Sequence, residues 1–338
     1  MCRIMMYRLV VAVVGLSFFT ACQSSDELVQ RTDYGRAQGS TYAISYVAKR
    51  DVRFQESIDS ILEVIDLSMS TYRADSRISA LNKGEVLVLD EHFRRVIARS
   101  DEIYEQTDGL FDISILPLMK LWNFERKNQR IPDSASIAET IKLVGWSKIN
   151  SANPDSFALP TGMQIDVNAI AQGYTVDVIS LFLESKGVED YLVEVGGEIR
   201  AKGENIDGQV WRIGIEKPQE GTEGDRFQTI VNLSNAGLAT SGSYRKYIED
   251  TLTGKRYSHA VNPISGYATN DPLMSVTVIA PNTMDADAYA TALLVMGLEK
   301  SKVWMRENPS YPVYLIYHDS YRGWQEEYNE AFAEIIIK

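Results

Sequence analysis

The sequence predicts an α+β fold, a single catalytic unit in which antiparallel sheets are flanked by helices. Three observations lead there. Strand-like segments follow one another from Tyr191 to Leu233 with no helical pattern between them, which suits hairpin-linked antiparallel strands rather than βαβ repeats. Helical patterns sit before and after that run instead of alternating with it. The chain has 338 residues, 45% hydrophobic and 24% charged, enough for a large core, and no long Pro/Gly/Ser stretch divides it.

The elements follow in chain order. Arg3 and Arg8 precede an apolar run from Leu9 to Phe19, which is short of the roughly 20 residues a membrane-spanning helix needs. A basic start, a short apolar middle and small residues at its end describe a secretory signal over residues 1–21. Phe19-Thr20-Ala21-Cys22 resembles a bacterial lipobox, with cleavage ahead of Cys22 and lipid on its thiol. A plain signal cut elsewhere is the alternative. Residues 22–33 read as the lipidated cysteine and a polar tether, and folded structure is expected from Tyr34, so that residues 34–338 form the domain. Tyr42 to Val47 alternates as a strand does. Phe54 to Leu67, Glu91 to Glu105, Ala135 to Val144 and Ala169 to Lys186 carry apolar residues at helical spacing, the last stopping at Gly187. Strands are expected over Tyr191 to Ala201, Val210 to Glu216, Phe227 to Leu233 and Leu273 to Ala280. Asp285 to Met296 is an Ala-rich, close-packing helix. Tyr314 to Tyr317 and the tail from Ala333 to Ile337 are strand-like.

Composition removes several function classes. A net charge of −12 argues against a nucleic-acid partner, which calls for a basic face. Two cysteines and three histidines support neither a disulfide framework nor a Cys/His zinc cluster. No phosphate-binding Gly-x-x-x-x-Gly-Lys loop, no dinucleotide Gly-x-Gly-x-x-Gly and no Gly-x-Ser-x-Gly elbow is present.

Four segments can carry chemistry. Ser70-Thr71-Tyr72-Arg73 clusters hydroxyls and an aromatic ring where a helix ends. Thr107 to Asp112 combines a glycine turn with Phe111 and runs on to an aromatic group at Trp122 and Phe124. Gln164 to Tyr174 reads as a strand giving way to a helix N-terminus, whose free N–H groups suit phosphate, with Asp166 placed to cap or to bind. Val195-Gly196-Gly197 puts two glycines inside a strand pattern, the mark of a bulge or a close ligand approach. The fourth segment runs from Thr240 to Pro263 and holds His259. Downstream, Asp287 and Thr291 are four residues apart and share one helix face, a carboxylate and a hydroxyl suited to a hard cation. Each segment also has a structural reading: a cap, a turn, a core aromatic.

Taken in order, these segments resemble the ApbE family of FAD:protein FMN transferases. The resemblance rests on Gly39-Ser40-Thr41-Tyr42, STYRADSRISALN from Ser70, DGLFDISILPLMKLW from Asp108, IDVNAIAQGYTVD from Ile165, YLVEVGGEIRAKG from Tyr191, ATSGSYRKY from Ala239, RYSHAVNPISGY from Arg256 and DADAYATALLVMG from Asp285. It implies an α+β, T-fold-like domain that binds FAD with a divalent metal, Mg²⁺ or a related ion. It implies transfer of the FMN half to a threonine hydroxyl of a target protein, with AMP released. By the family pattern the metal ligands are Asp287, Thr291 and the carbonyl of Ala169. The FAD contacts are Gln38, Tyr72, Leu110, Phe111, Asp112, Asp166, Gln172 and Val261, with Tyr72 and Phe111 supplying aromatic surface. His259 is the candidate base. Asn262 stands where the family has an aspartate before proline. The implied partners are threonine-bearing subunits of membrane redox complexes and other extracytoplasmic flavoproteins, met at the periplasmic face of a bacterial envelope membrane to which lipid at Cys22 anchors the chain. An FAD pyrophosphatase giving FMN and AMP, or a non-catalytic FAD-binding lipoprotein, are the alternatives.

Overall fold

The computed structural model describes residues 27–125, 131–218, 227–244, 246–250 and 253–337, so the signal, Cys22 and residues 23–26 lie outside the described residues. The first described elements are β1 (Leu28–Ala37) and β2 (Ser40–Lys49), paired from Leu28↔Lys49 to Ala37↔Ser40. Their turn is Gln38-Gly39, with φ of +52° and +74°. Two positive φ angles in a two-residue loop match the twist of the strands on either side. The strand thus begins ahead of Tyr34, where the sequence pattern places the start of folding. No residue of β1 is fully buried, so it lacks the apolar alternation that marks an inner strand.

Helices α1 (Gln55–Met69), α2 (Arg77–Leu81), α3 (Glu91–Gln106), α4 (Leu116–Trp122) and α5 (Ser134–Thr140) come next. The expected helix to Val144 stops at Thr140 and continues as a 3₁₀ turn over Ile141–Leu143. Then come α6 (Asn168–Ser185), β3 (Tyr191–Val195) and β4 (Glu198–Lys202). The single strand expected over 191–201 is therefore a hairpin, because Gly196 and Gly197 take φ of +66° and +110° and reverse the chain. The residues before α6 do not form the expected strand. They are extended and held from outside: Asn82 donates to the Ile165 carbonyl (2.9 Å) and accepts from the Ile165 N–H (2.7 Å).

The remaining elements are β5 (Trp211–Glu216), β6 (Phe227–Leu233), β7 (Ala236–Gly242), β8 (Tyr247–Glu249), β9 (Arg256–Ser258), β10 (Leu273–Ala280), α7 (Thr283–Met296), α8 (Leu298–Glu307), β11 (Val313–Asp319), β12 (Gly323–Tyr328) and α9 (Glu330–Ala333). The tail is not a strand: Asn329 caps α9, and an isolated bridge, Val231↔Ile336, ties the last residues of the chain to β6.

Eight strands form one sheet in the order β1-β2-β3-β4-β7-β10-β11-β12, and every pairing is antiparallel. Helices α6 and α7 cover one face, where Ile44, Val193 and Val195 meet Val176, Ile179 and Leu183. The β5–β6 ribbon and α9 cover the other, around Trp211, Val231, Leu238 and Phe332. This is the α+β arrangement the sequence predicts. Among the described residues no helix is long and apolar enough to cross a membrane.

Candidate active site

Helices α6 and α7 cross at close quarters. A Cβ on Gly173 would lie 2.4 Å from the Thr283 carbonyl oxygen and 2.8 Å from the Asp287 Cβ, so only glycine lets the two helices meet there. The Gly173 N–H donates to Asp287 Oδ2 (3.0 Å). In a regular helix that N–H is aimed at the carbonyl of Ala169, four residues back. By that helical geometry the Ala169 carbonyl lies one turn back from Gly173 on α6. One turn along α7 from Asp287, the Thr291 hydroxyl shares a hydrogen bond with Ser241 at the end of β7 (3.1 Å).

Three buried aspartates surround this crossing, and two have guanidinium partners. Asp177 on α6 accepts from Thr283 N–H and Met284 N–H (both 2.9 Å) at the start of α7, and Arg200 lies 2.8 Å away. Asp285 is held by Arg99 at 2.7 and 3.0 Å. Asp287 is 5% exposed and has no cationic partner among the described residues. Burial raises its pKa; the Gly173 N–H opposes the rise and the nearby Asp177 adds to it. An oxygen-seeking cation is the charge this carboxylate lacks. The donors present are a carboxylate, a hydroxyl and a carbonyl, which fit a hard divalent ion. They are too few to enclose one, leaving positions for water and phosphate. Among the described residues no group of three or more Asp, Glu, His or Cys could hold a metal ion.

The expected flavin contacts divide into two groups. Four lie around the N-terminal half of α6. Gln38, at the β1–β2 turn, donates to the Thr175 hydroxyl (2.8 Å). Gln172 lies over the β3–β4 turn, close enough that a Cβ on Gly196 would sit 1.9 Å from its Nε2. Asp166, just ahead of α6, accepts from the Asn168 N–H (2.8 Å), and desolvation raises its pKa against that bond and the charge of Lys120. Tyr72 is 74% exposed, a ring face open to solvent. Its hydroxyl donates to Glu125 (3.2 Å), and desolvation with the Glu125 and Asp166 carboxylates pushes its pKa up to about 12.

The second group is folded into the structure. Phe111 is 2% exposed within the core around α3 and α6, so it offers no open ring and the expected aromatic surface falls to Tyr72 alone. Leu110 and Val261 are buried too. Asp112 spends both carboxyl oxygens on the protein: Oδ1 accepts from the Ser114 N–H (2.7 Å) and hydroxyl (2.6 Å), and Oδ2 from the Trp146 N–H (3.0 Å). Desolvation raises its pKa and those bonds resist.

His259 comes directly after β9. Its backbone N–H donates to the Lys246 carbonyl (3.0 Å), while its ring Nδ1 is buried with no hydrogen-bond partner. Burial lowers its pKa and the Lys246 charge lowers it further, against the Lys246 carbonyl. Both the burial and the Lys246 charge favour the neutral ring. Five residues of chain join Ser241 to Lys246, a reach of at most about 18 Å. Asn262 accepts from the Ile264 and Ser265 N–H groups (2.9 and 3.0 Å), which fixes the turn after His259 without adding charge.

Residues outside the predicted set complete the picture. Ser241 partners Thr291, Asp177 locks α6 onto α7, and Lys246 stands between His259 and Glu125 (3.7 Å). Lys120 donates to Gln164 (2.7 Å) beside Asp166. Ser241 and Lys246 lie in ATSGSYRKY, but only the fold shows what they touch.

Comparison with known proteins agrees. A model of the ApbE family matches residues 38–315. The FAD:protein FMN transferase of Haemophilus influenzae is 34% identical, over 96% of this chain and 96% of its own length. That of Vibrio cholerae is 33% identical, over 97% and 98%. Among solved structures, the flavin transferase ApbE from Vibrio cholerae superposes with a TM-score of 0.80 at 32% identity, covering 91% of this chain and 100% of that one. Apo Pseudomonas stutzeri flavinyl transferase ApbE gives 0.82 at 33%, covering 91% and 97%.

Proposed function

The chain belongs to the ApbE family, and we infer that it acts as its relatives are named, moving FMN from FAD onto a target protein. Its finer chemistry is our proposal. Asp287, Thr291 and the Ala169 carbonyl would hold Mg²⁺ or another divalent ion, which when bound neutralises and orients the FAD pyrophosphate. The observation that carries this reading is Asp287 itself, a buried carboxylate with no cation beside it among the described residues, where its two neighbours each have an arginine.

The chain's own residues supply the rest. Tyr72 presents an open ring for a planar heterocycle, and Asp166, Gln38 and Gln172 offer polar groups around the start of α6. His259, neutral at physiological pH, takes the proton of an acceptor threonine hydroxyl. The hydroxyl oxygen then attacks the phosphorus on the FMN side. A phosphoester forms, the bond to the AMP phosphate breaks, and AMP leaves.

We place the mature chain at a bacterial envelope membrane, facing the periplasm and held by lipid on Cys22. Its acceptors there are threonine-bearing subunits of membrane redox complexes or other extracytoplasmic flavoproteins. The test is to mix the mature protein, FAD, Mg²⁺ and such an acceptor, and to look for covalent flavin fluorescence in a denaturing gel. A fluorescent acceptor band is expected, and is lost with chelator or with Asp287→Ala. Free FMN and AMP with no band means that water is the acceptor. No FAD cleavage at all means a flavin-binding protein.

A further inference from the structure

The fold has two ends, and the chain enters at the one far from the site. Leu28 pairs with Lys49, and the Arg50 N–H donates to the Glu27 carbonyl (3.0 Å), so the start of β1 is fastened to the end of β2. An Arg50–Glu27 ion pair (2.7 Å) sits at the same place. The site lies at the other end. Gln38 is in the β1–β2 turn, and Gln172 near the start of α6 lies over the β3–β4 turn at Gly196. The register Tyr42↔Val195 to Tyr46↔Tyr191 puts those two turns side by side. Two lengths measure the separation. The ten residues of β2 span about 33 Å. The 18 residues of α6, which ends near Tyr191, span about 27 Å.

Only six residues lie between Cys22 and Leu28, counting Leu28, and fully stretched they reach at most about 22 Å. We propose that the tether is shorter than the fold, so that the flavin site cannot open onto the bilayer and stands on its aqueous side, with the Glu27–Arg53 end toward the lipid headgroups. An inverted molecule would need its first strand held at least the length of α6 above the membrane, beyond what the tether can span. An acceptor threonine therefore has to arrive on an extramembrane segment from the periplasmic side. This inference rests on lipid at Cys22.

The test uses the full processed chain in vesicles that contain spin-labelled headgroups, which quench fluorophores at short range. Removal of the signal and acylation of Cys22 leave no native thiol, so Asp51→Cys and Thr41→Cys can each carry one dye. Asp51 lies just past the end of β2 and Thr41 lies beside the turn, and both are exposed. Flotation with the vesicles is expected, with the dye at position 51 quenched severalfold more than the dye at 41. Flotation with equal quenching, or more at 41, overturns the orientation while leaving the anchor in place. Failure to float overturns the anchor and the inference with it. A flexible Gly/Ser insert of about 20 residues ahead of Leu28 gives an r.m.s. reach of about 25 Å and a much longer maximum, so it is expected to erase the contrast.

Discussion

Where α6 crosses α7, Gly173 and Gly237 leave no room for a side chain, two aspartates are each clamped by an arginine, and Asp177 on one helix accepts both N–H groups that begin the other. Around β8 and β9, two strands of three residues each, Lys246 just ahead of β8 lies 3.7 Å from Glu125 beyond the end of α4, and the exposed Tyr72 hydroxyl donates to Glu125. The first region is closely packed and held by fixed polar contacts. The second is built from parts that can give way to a large partner. Phosphoryl transfer asks for this division, since the pyrophosphate has to be held in one geometry while the acceptor is a whole protein that comes and goes.

Loss of each region's central side chain separates the two roles most sharply. Asp287→Ala is expected to lower transfer on the order of a thousandfold and to abolish tight Mn²⁺ binding, because it removes the one carboxylate of the proposed donor set. His259→Ala is expected to lower transfer by about 10²–10⁴ while Mn²⁺ and FAD still bind. Titration of Mn²⁺ by electron paramagnetic resonance, beside single-turnover transfer, reads both. If His259→Ala also lost the metal, the division between a rigid metal region and a yielding acceptor region would fail.

Gly173→Ala probes the rigid region alone. Its methyl meets backbone, the Thr283 carbonyl, which cannot swing aside as a side-chain tip can. A cost of about 1–3 kcal/mol is expected as a lower melting temperature, together with weaker Mn²⁺ binding as Asp287 is displaced. An unchanged Mn²⁺ affinity in a destabilised protein would show that the crossing supports the fold but not the metal position.

How much of this is legible in the sequence depends on where each signal comes from. Helices α1, α3 and α6 are legible because their apolar residues recur at helical spacing, and β10 because apolar and β-branched residues dominate its run. β7 is not, because Ala236-Gly237-Leu238-Ala239 is kept small by a neighbour: a Cβ on Gly237 would lie 2.4 Å from the Thr283 nitrogen. At the site, the Asp287–Thr291 pair is legible as two positions on one helix face. The burial of Phe111 and the full hydrogen bonding of Asp112 are not, since Trp146 and the α6 residues Ile170 and Tyr174 of the same core come from distant parts of the chain. Lys246 is silent for the same reason. Its effect on His259 needs the pairing of β8 with β9, two strands too short to leave a pattern in the sequence.

That effect gives the smallest and most specific prediction. His259 is held below the ordinary histidine value first by burial and then by the Lys246 charge, so it is already neutral at pH 7 and becomes protonated only in more acidic solution. A protonated ring cannot accept the threonine proton, so kcat/KM for transfer is expected to fall on the acid side, with its limb below the ordinary histidine range. Lys246→Gln removes a positive charge that opposes the imidazolium. The folded-state pKa then rises, and the acid limb moves to higher pH. At pH 8 the ring is neutral in both proteins and their rates should agree, whereas in the acid limb the variant should be slower, by less than about tenfold. A pH profile measured at saturating FAD and Mg²⁺ reads this directly. A uniform loss at every pH would instead assign Lys246 to binding the acceptor, through the Glu125 pair and Tyr72, and would make the open region a docking surface rather than a setting for the base.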